Sequence, residues 1–451
     1  MGPERHYERM VRRTQADARV PALSVALHRA DRPPWTLQVG GADPAAQFRI
    51  GSVTKTFTAV LVMQCRDEGL LDLDDPVGAH LDLPAHGELP VRRLLSHTSG
   101  LQREPYGDVW DTLDAPDAAR LLAELDRVER VLPPARRFHY SNLGVALLGH
   151  LVGRLRGGTW EEVLADRVLG PLDLAGTTVA PTERATTGYL VDAYSDHVLP
   201  EPPADFGAVA PAGQLWSTAA DMARWAAFLA DPAVVDPDGK VLPAGTLDEM
   251  RWPLTVTDEA LWIVGYGLGL IMVPQPGRAV HVGHDGAMPG FLAGVYGRRG
   301  GTGTPAACGV AVLGSSGTAE AVLELPHQLL AAVVEHDPAE VTPWEPGPPA
   351  PPELRSVLGH WWSEGFEYVF SWHDGALQAR GARHPADRPP SVFARVEPDL
   401  LRTVSGREAG ELLRLTRDPQ TGAVVRMHWA TYRFTRTQET FPGAWASEPP
   451  S

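Results

Sequence analysis

Short apolar runs near both ends of the first 335 residues have the length of sheet strands. Two of them come early in the chain and four come late, at residues 21–27, 36–39, 264–272, 280–282, 291–296 and 308–313. Segments of helical length lie between the two groups. A sheet built from both ends of a domain around a helical middle predicts an α/β fold with a helical subdomain.

Three segments of this middle region are predicted helices. The first covers residues 52–68, where the apolar residues lie broadly on one side and Gly69 ends the helix. The second runs from about residue 142 to residue 156 and is ended by the glycine pair 157–158. The third follows residues 217–218, and Asp221, three residues after Thr218, suits the free N–H groups of its first turn.

A proline-rich segment at residues 338–352 separates this region from the rest of the chain. Its seven prolines exclude a helix or an inner strand and predict a stiff, extended linker. Beyond it, short runs alternate between apolar and polar residues, with an Asp-Gly turn at residues 374–375 between two of them. This pattern predicts a small antiparallel sandwich or barrel, with strands at residues 366–372, 376–379, 422–425 and 429–434. We therefore expect a first domain over residues 1–337 and a β domain over residues 353–445.

Charge and composition exclude several classes of partner. The formal net charge of −16 argues against nucleic acid, because phosphate binding needs a basic surface. No apolar stretch of about 18 residues could span a bilayer, and the mixed-charge N-terminus is not typical of a secretory signal. We expect a cytoplasmic protein with no membrane partner. Cys65 and Cys308 match no metal spacing and are expected to be buried thiols, so neither a metal nor a cofactor is indicated.

Lys55 is unusual in this composition, because 38 of the 40 basic residues are arginine. Arginine keeps its proton at ordinary pH, whereas a buried lysine can lose it and act as a base. Lys55 follows Ser52 by three residues at the start of a predicted helix, so the two side chains share a face. The helix N-terminus favours negative charge that develops beside Ser52, and burial would lower the pKa of Lys55. These two residues are the first candidates for nucleophile and base.

Two further motifs accompany this pair. Tyr140 and Asn142 stand in Tyr-Ser-Asn at the start of the second predicted helix, and His284 stands in Gly-His-Asp-Gly on a late strand. His97 lies in the segment Leu-Leu-Ser-His-Thr-Ser-Gly-Leu and is expected to be structural, because that segment is a turn outside the three motifs. Ser-x-x-Lys alone is a weak signal, but the three motifs together are specific.

With these three motifs the chain resembles the serine β-lactamase and penicillin-binding-protein superfamily, which is marked by Ser-x-x-Lys, Ser-Asp-Asn or Tyr-x-Asn, and Lys-Thr-Gly. Over residues 5–335 it is most similar to the branch that contains class C-type lactamases, D-aminopeptidases, DD-peptidases and family VIII esterases. The tail resembles the lipocalin-like domain of some members. The resemblance implies an antiparallel sheet flanked by helices, a helical subdomain and a small all-β domain.

The resemblance also implies a role for each motif residue. Ser52 would attack an acyl carbon and become an acyl-enzyme. Lys55 and Tyr140 would share the role of general base, with the pKa of Tyr140 lowered by the neighbouring ammonium. Asn142 would bond to Lys55 or to a substrate amide, and His284 takes the place of the third-motif lysine.

Two consequences concern the third motif. The N–H groups of Ser52 and Ala287 would form the oxyanion hole. A histidine in place of the usual lysine removes a permanent positive charge that many lactamases and DD-peptidases direct at a substrate carboxylate. Efficient β-lactam hydrolysis is therefore not expected, while acyl transfer from esters, thioesters or peptides stays open.

Within the superfamily the chain is most similar to penicillin-binding-protein-type thioesterases, which carry a lipocalin-like domain after the catalytic one. This resemblance implies a trans-acting peptide cyclase that releases a nonribosomal peptide by head-to-tail macrolactamisation. Its substrate would be a peptidyl thioester or ester, including one held on a carrier protein. The first alternative is a cytoplasmic D-aminopeptidase, DD-peptidase-like hydrolase or family VIII-type esterase at the same site. The second is a catalytically idle ligand-binding protein.

Overall fold

Early and late strands of the chain meet in one antiparallel sheet, as the apolar runs at both ends of the first domain predict. The computed structural model of the protein describes residues 2–257, 260–341, 343–385 and 388–439. The chain divides into two compact units, Met1–Val341 and Thr342–Ser451, each with its own hydrophobic core. The end of the predicted β domain, residues 440–445, lies outside the described residues.

The first unit combines strands from both ends of its sequence with helices from its middle. Its strands are β1 (Leu23–Arg29), β2 (Arg32–Val39), β3 (Phe48–Arg49), β4 (Tyr189–Val191), β5 (Val198–Pro200), β6 (Trp216–Ser217), β7 (Thr255–Val256), β8 (Gly265–Tyr266), β9 (Ile271–Gln275), β10 (Ala279–Met288), β11 (Phe291–Gly300) and β12 (Cys308–Gly314). The large sheet has the order β2-β1-β12-β11-β10-β9-β8-β7, while β3 pairs with β6 and β4 with β5.

The helices cover both faces of this sheet and build the middle subdomain. They are α1 (Pro3–Asp17), α2 (Thr54–Asp67), α3 (Val91–Leu95), α4 (Val109–Thr112), α5 (Ala118–Ala123), α6 (Asn142–Arg156), α7 (Trp160–Leu164), α8 (Ala219–Ala230), α9 (Pro232–Val235), α10 (Ala244–Met250) and α11 (Ala321–His336). Short 3₁₀ turns occur at Gly51–Val53, Val77–Ala79, Leu125–Arg127, Gly207–Ala212 and Pro276–Arg278, and a π turn occurs at Ala165–Leu169.

Strand β1 is buried at every residue except the half-buried His28, because both of its faces are covered. Leu23, Val25 and Leu27 belong to the core shared with α1 and α11, whereas Ala26 belongs to the core on the opposite face, with α2 and α8. Successive side chains of a strand point to opposite faces, so a strand covered on both sides reads as a continuous apolar run. The apolar run therefore predicts that the segment is a strand, but it does not show that both faces of the strand are buried.

Helix α8 packs unusually close to the sheet, and glycine makes this approach feasible. A Cβ added at Gly309 of β12 would lie 2.3 Å from the backbone nitrogen of Ala227 and 2.4 Å from the carbonyl oxygen of Ala223. A Cβ at Gly297 of β11 would lie 2.2 Å from the carbonyl oxygen of Ala226. Backbone cannot move away as a flexible side chain can, so these positions admit only glycine.

The helix predicted over residues 52–68 begins two residues later than expected. Ser52 lies in the 3₁₀ turn Gly51–Val53, and α2 follows it directly. The prediction of one apolar side is wrong, because residues 54–65 are all buried. Two buried threonines of α2 accept hydrogen bonds from indole N–H groups, Thr56 from Trp225 at 2.8 Å and Thr58 from Trp160 at 3.0 Å. The turn that carries Ser52 is therefore anchored in the core.

The single strand predicted over residues 264–272 is wrong, because the structure has two short strands there, β8 and β9. The turn between them contains Gly269 in the left-handed region, at φ 78°. A Cβ at this glycine would lie 2.2 Å from the Cβ of Ala59 in α2. The chain therefore turns where it meets the buried helix, a contact that local periodicity does not reveal.

The second unit is an eight-stranded antiparallel sheet that nearly closes into a barrel. After the 3₁₀ turn Pro352–Val357, its strands are β13 (Gly359–Ser363), β14 (Phe366–His373), β15 (Ala376–Gly381), β16 (Ser391–Glu397), β17 (Leu400–Ser405), β18 (Leu412–Arg417), β19 (Val424–Trp429) and β20 (Tyr432–Phe434), in sequential order. Backbone bonds between Trp362 and Thr435 join the first strand to the end of the last. The strand predicted over residues 429–434 is wrong, because Ala430, at φ 52°, turns the chain between β19 and β20.

Three further observations apply to the described ranges. None of their helices is both long and apolar enough to cross a membrane. Within the same ranges, no three His, Cys, Asp or Glu residues come together in a way that could hold a metal ion. Cys65 and Cys308 are free and buried, as the sequence predicts.

The close packing of α8 can be tested at Gly309. We expect Gly309→Ala to destabilise the first unit by about 3 kcal/mol, because the new methyl group meets immovable backbone. Thermal unfolding followed by calorimetry measures the loss. Gly245 in α10 is the matched control, since it is exposed and nothing lies within 4 Å of its Cβ position. Gly245→Ala should instead stabilise by up to about 1 kcal/mol, and equal effects of the two variants would contradict the packing argument.

Candidate active site

Ser52 and Lys55 meet at the start of α2, where their i, i+3 spacing brings the side chains together. Lys55 Nζ lies 2.9 Å from Ser52 Oγ and donates a hydrogen bond to the carbonyl oxygen of Ala212 at 2.5 Å. That carbonyl can only accept. An uncharged amine held in this way still has its lone pair available for the Ser52 proton.

Burial makes the uncharged form of Lys55 accessible. The side chain is 1% exposed, and its desolvation holds the pKa of Lys55 well below the ordinary value. The carboxylate of Glu104 opposes this lowering of the pKa, and the guanidinium of Arg103 adds to it. The direction agrees with the expectation from the sequence, and it suits a general base.

Tyr140 completes the contact around the nucleophile. Its side chain shares a hydrogen bond with Ser52, and Lys55 Nζ lies 4.8 Å from the centre of its ring. The expectation of a lowered pKa is wrong: burial raises the pKa of Tyr140 well above its ordinary value, although the Ser52 hydrogen bond and Arg103 oppose the rise. The phenol therefore keeps its proton at rest, which suits a proton donor better than a second base.

Asn142 does not bond to Lys55, the first of its two expected partners, and a bond to a substrate amide stays a prediction. Asn142 Nδ2 donates to Glu104 Oε1 at 2.6 Å, whereas the hydrogen bonds of Lys55 go to Ser52 and Ala212. Nor does Asn142 cap its helix, since the side chain of Ser141 accepts the N–H of Gly144 at 3.0 Å. Asn142 thus connects the start of α6 to the loop that carries Glu104.

His284 lies beside this group on β10, buried and uncharged. Its Nδ1 donates to the carbonyl oxygen of Asp285 at 2.5 Å, which leaves Nε2 as the acceptor, 3.5 Å from the hydroxyl of Tyr266. Burial and, to a smaller extent, the charge of Lys55 together lower the pKa of His284 to about 3. At neutral pH the third motif therefore offers a hydrogen-bonding ring but no positive charge.

The backbone at Ala287 runs directly against the turn that carries Ser52. A Cβ at Gly51, which has φ 49°, would lie 2.7 Å from the nitrogen of Ala287, and a Cβ at Gly286 would lie 1.9 Å from the carbonyl oxygen of Ile50. Only glycine permits so close an approach.

The direction of the Ala287 N–H follows from the register of β10. Met288 pairs with Phe291 across a two-residue turn, and Ala287 pairs with Leu292. Pairs that exchange hydrogen bonds alternate with pairs whose N–H groups point away from the partner strand. Because Met288 and Phe291 close the turn, the Ala287 N–H points to the free edge of β10, where Gly51 lies. The two N–H groups of the expected oxyanion hole are thus brought to one place.

Three residues near the nucleophile are missed by the sequence motifs. Arg103 and Glu104 lie in the loop before α4, with Arg103 Cζ 4.8 Å from the Tyr140 ring centre. An Arg-Glu pair in a loop is ordinary surface composition, so no signal in one sequence identifies it. His97 is the third, since its ring centre lies 4.4 Å from that of Tyr140. Its segment lies outside the three motifs, as expected, but the fold places it beside Tyr140.

Comparison with known families agrees with this geometry. Residues 7–331 match the model of the family described as Beta-lactamase. Residues 350–436 match a domain of unknown function, DUF7586, so the all-β second unit has a family of its own, and its lipocalin-like character stays a prediction.

One curated relative is Penicillin-binding protein 4 of Amycolatopsis lactamdurans. It is 34% identical over 262 residues, which cover 54% of this chain and 66% of that protein. The chain spans 66% of this relative and about half of two further curated relatives.

Solved structures show the same fold. A D-stereospecific amidohydrolase from Streptomyces sp. is 24% identical, with a TM-score of 0.58 over 70% of this chain and 98% of that chain. SurE with D-Leu is 23% identical, with a TM-score of 0.56 over 96% of this chain and 99% of that chain. At these identities the likeness establishes the fold. Together with the family match, it shows that the chain belongs to the β-lactamase family, within the superfamily of β-lactamases and penicillin-binding proteins.

Proposed function

We propose that the protein is a serine hydrolase that transfers the acyl group of D-configured donors through an ester on Ser52. The observation that carries the proposal is the contact of Ser52 with two groups that can move its proton. One is the buried amine of Lys55, at 2.9 Å, and the other is the phenol of Tyr140. A catalytically idle protein would have no need to keep an amine desolvated at this position, since burial of a lysine is unfavourable.

The first half of the reaction forms the acyl-enzyme. Lys55 takes the proton of Ser52 as Oγ attacks the carbonyl carbon. The N–H groups of Ser52 and Ala287 stabilise the negative oxygen of the tetrahedral intermediate. As the bond to the leaving group breaks, the proton passes from Lys55 through Tyr140 to that group. Water or an amine then attacks the ester by the reverse path.

The uncharged His284 supports a particular class of leaving group. A free carboxylate on the leaving side is best bound by a fixed cation, and the pKa of His284, lowered to about 3 by burial, leaves this ring neutral. Amides, esters and thioesters whose leaving groups carry no carboxylate fit the site better. This favours an amidase, aminopeptidase or esterase over a DD-carboxypeptidase.

The preference for a D-configured donor is supported by the proteins that share the fold. One of them is described as a D-stereospecific amidohydrolase, and another was solved with D-Leu. The stereochemistry of the acyl group is therefore part of the proposal, together with Ser52 as the nucleophile.

A second candidate function differs only in the acceptor. The amine at the far end of a peptidyl group could attack the seryl ester in place of water, which closes a ring, as the sequence resemblance implies. The all-β second unit supports this candidate, because the thioesterases that the sequence resembles carry a further domain after the catalytic one. A carrier-protein partner and a cytoplasmic location belong to this candidate.

The role of Lys55 as base predicts the effect of Lys55→Arg. We expect acylation to fall by roughly 10²–10⁴-fold, because arginine keeps its proton. The wild-type rate should rise with pH through the lowered pKa of Lys55 and level off well below 10.5, since the base acts when deprotonated. Labelling of Ser52 by a fluorophosphonate across pH measures both effects.

The other lysine of the chain supplies a matched control. Lys240 is exposed and pairs with Asp238 at 2.8 Å, so Lys240→Arg should label at the wild-type rate. If Ser52 of the Lys55→Arg variant is labelled at the wild-type rate and with the wild-type pH profile, Lys55 is not the base of the proposed mechanism.

Stereochemistry is tested with the p-nitroanilides of D-leucine and L-leucine. We expect kcat/KM to favour the D-substrate at least tenfold, a difference of about 1.4 kcal/mol between the two transition states. Ser52→Ala should abolish both turnover and the fluorophosphonate adduct. A preference for the L-substrate would reject the D-specific part, whereas full activity of Ser52→Ala would reject the serine mechanism itself.

The acceptor is tested with a peptidyl thioester that ends in a D-residue and has a free N-terminal amine. If an amine is the natural acceptor, mass spectrometry will show a product lighter than the linear acid by one water. The matched substrate with an acetylated N-terminus cannot cyclise and should give only linear acid. Linear acid from both substrates would rule out cyclisation for this peptide and favour the hydrolase.

A further inference from the structure

His97 contacts the chain on both sides of Tyr140. Its carbonyl oxygen accepts the N–H of His139 at 2.8 Å, and its Nδ1 accepts the N–H of Ser141 at 3.2 Å. One residue thus binds the backbone immediately before and immediately after the tyrosine. The two bonds limit how far the backbone of Tyr140 can move relative to His97.

The same residue also packs against the tyrosine ring. The ring centres of His97 and Tyr140 lie 4.4 Å apart, with an angle of 35° between the planes. Tyr266 and Phe138 flank His97 with ring centres at 4.9 and 5.7 Å. The imidazole is completely buried. Backbone and ring of Tyr140 are therefore both fixed by contacts to His97.

The hydrogen bonds determine the form of the imidazole. Because the N–H of Ser141 can only donate, Nδ1 must carry a lone pair, and the ring proton belongs on Nε2. Burial lowers the pKa of His97 well below its ordinary value, and the charges of Lys55, His284, Arg103 and His139 lower it further. The ring is therefore neutral and has one tautomer.

Two features of His97 are unfavourable in themselves. Its Nε2 is buried and has no hydrogen-bond partner among the described residues, which costs free energy. Its backbone lies in the left-handed region at φ 54°, which side chains other than glycine rarely adopt. Such costs persist where the surrounding structure needs the arrangement, and here the arrangement serves Tyr140.

We propose that His97 is a positioning residue that fixes the phenol of Tyr140 against Ser52 through its carbonyl, its Nδ1 and its ring. The inference rests on the proposed function, in which Tyr140 passes a proton during acylation. It goes beyond that function because it assigns a role to a segment outside the three motifs.

The test compares two substitutions that remove different contacts. His97→Asn keeps a side-chain acceptor and tolerates the left-handed backbone, but it loses the ring. His97→Phe keeps a ring and loses the acceptor. Each should slow the labelling of Ser52 by a fluorophosphonate by roughly 10- to 100-fold, because small misplacements of a catalytic group are costly. Circular dichroism establishes whether each variant is folded. If the phenylalanine variant does not fold, the asparagine variant alone tests the inference.

A double-mutant cycle with Tyr140→Phe separates positioning from general disruption. If His97 acts through the phenol, either His97 substitution should slow labelling less than about threefold when Tyr140 is already phenylalanine. Equal slowing in both backgrounds would overturn the inference. Wild-type labelling by Tyr140→Phe alone would instead reject the proposed role of Tyr140, so the two failures are distinguishable.

His150 provides a control for loss of stability. This histidine is half-buried on α6, and its Nε2 bonds to the carbonyl oxygen of Ala208 at 3.0 Å. His150→Asn should lower the thermal midpoint and leave the labelling rate within about twofold. Substitutions at residues that share no interaction partner have independent effects, and in the part of the chain that the structure describes His150 has no partner in common with Tyr140. Slowing as large as that of the His97 variants would attribute their effect to destabilisation and contradict positioning.

Discussion

The chemistry proposed for this protein depends on the burial of one amine. Lys55 is 1% exposed, and its nearest polar contacts are a serine hydroxyl and a backbone carbonyl, neither of which carries a compensating charge. A lysine in water would be protonated at neutral pH and could not accept a proton from Ser52. Desolvation lowers the pKa of Lys55, and this converts an ordinary cation into a base. The fold has to supply the free energy that keeps the amine there.

Close backbone packing around α2 provides that burial. The helix is covered on all sides, and the turn at Gly269 approaches it within a distance that a Cβ would prevent. The strand at Gly286 approaches Ile50, just before the turn of Ser52, equally closely. The same approach places the N–H of Ala287 beside the turn of Ser52. The expected oxyanion hole depends on the same packing, because a displacement of β10 would separate the N–H of Ala287 from the turn of Ser52.

Residue spacing was sufficient to predict the parts of this site that are local or carried by motifs. Ser52 and Lys55 share one helical face at i and i+3. The early and late strands of the large sheet follow from the apolar runs at both ends of the first domain. The pKa of Tyr140 was predicted in the wrong direction, because burial is a property of the folded surroundings and outweighs its charged neighbours. Glu104 and His97 were missed for a related reason, since each reaches the site through a loop whose position is set by tertiary contacts.

The titratable groups around Ser52 share a single constraint. Burial and mutual repulsion disfavour a charge on any of them: the charge of Lys55 lowers the pKa of both His97 and His284, and that of His284 lowers the pKa of His97. The ionised side chains, Arg103 and Glu104, lie in the loop at the edge of this group. In the proposed mechanism, the proton that leaves Ser52 gives Lys55 a positive charge as the oxyanion forms. The positive and negative charges then arise together and within a few ångströms, so their attraction offsets the desolvation that each would suffer alone.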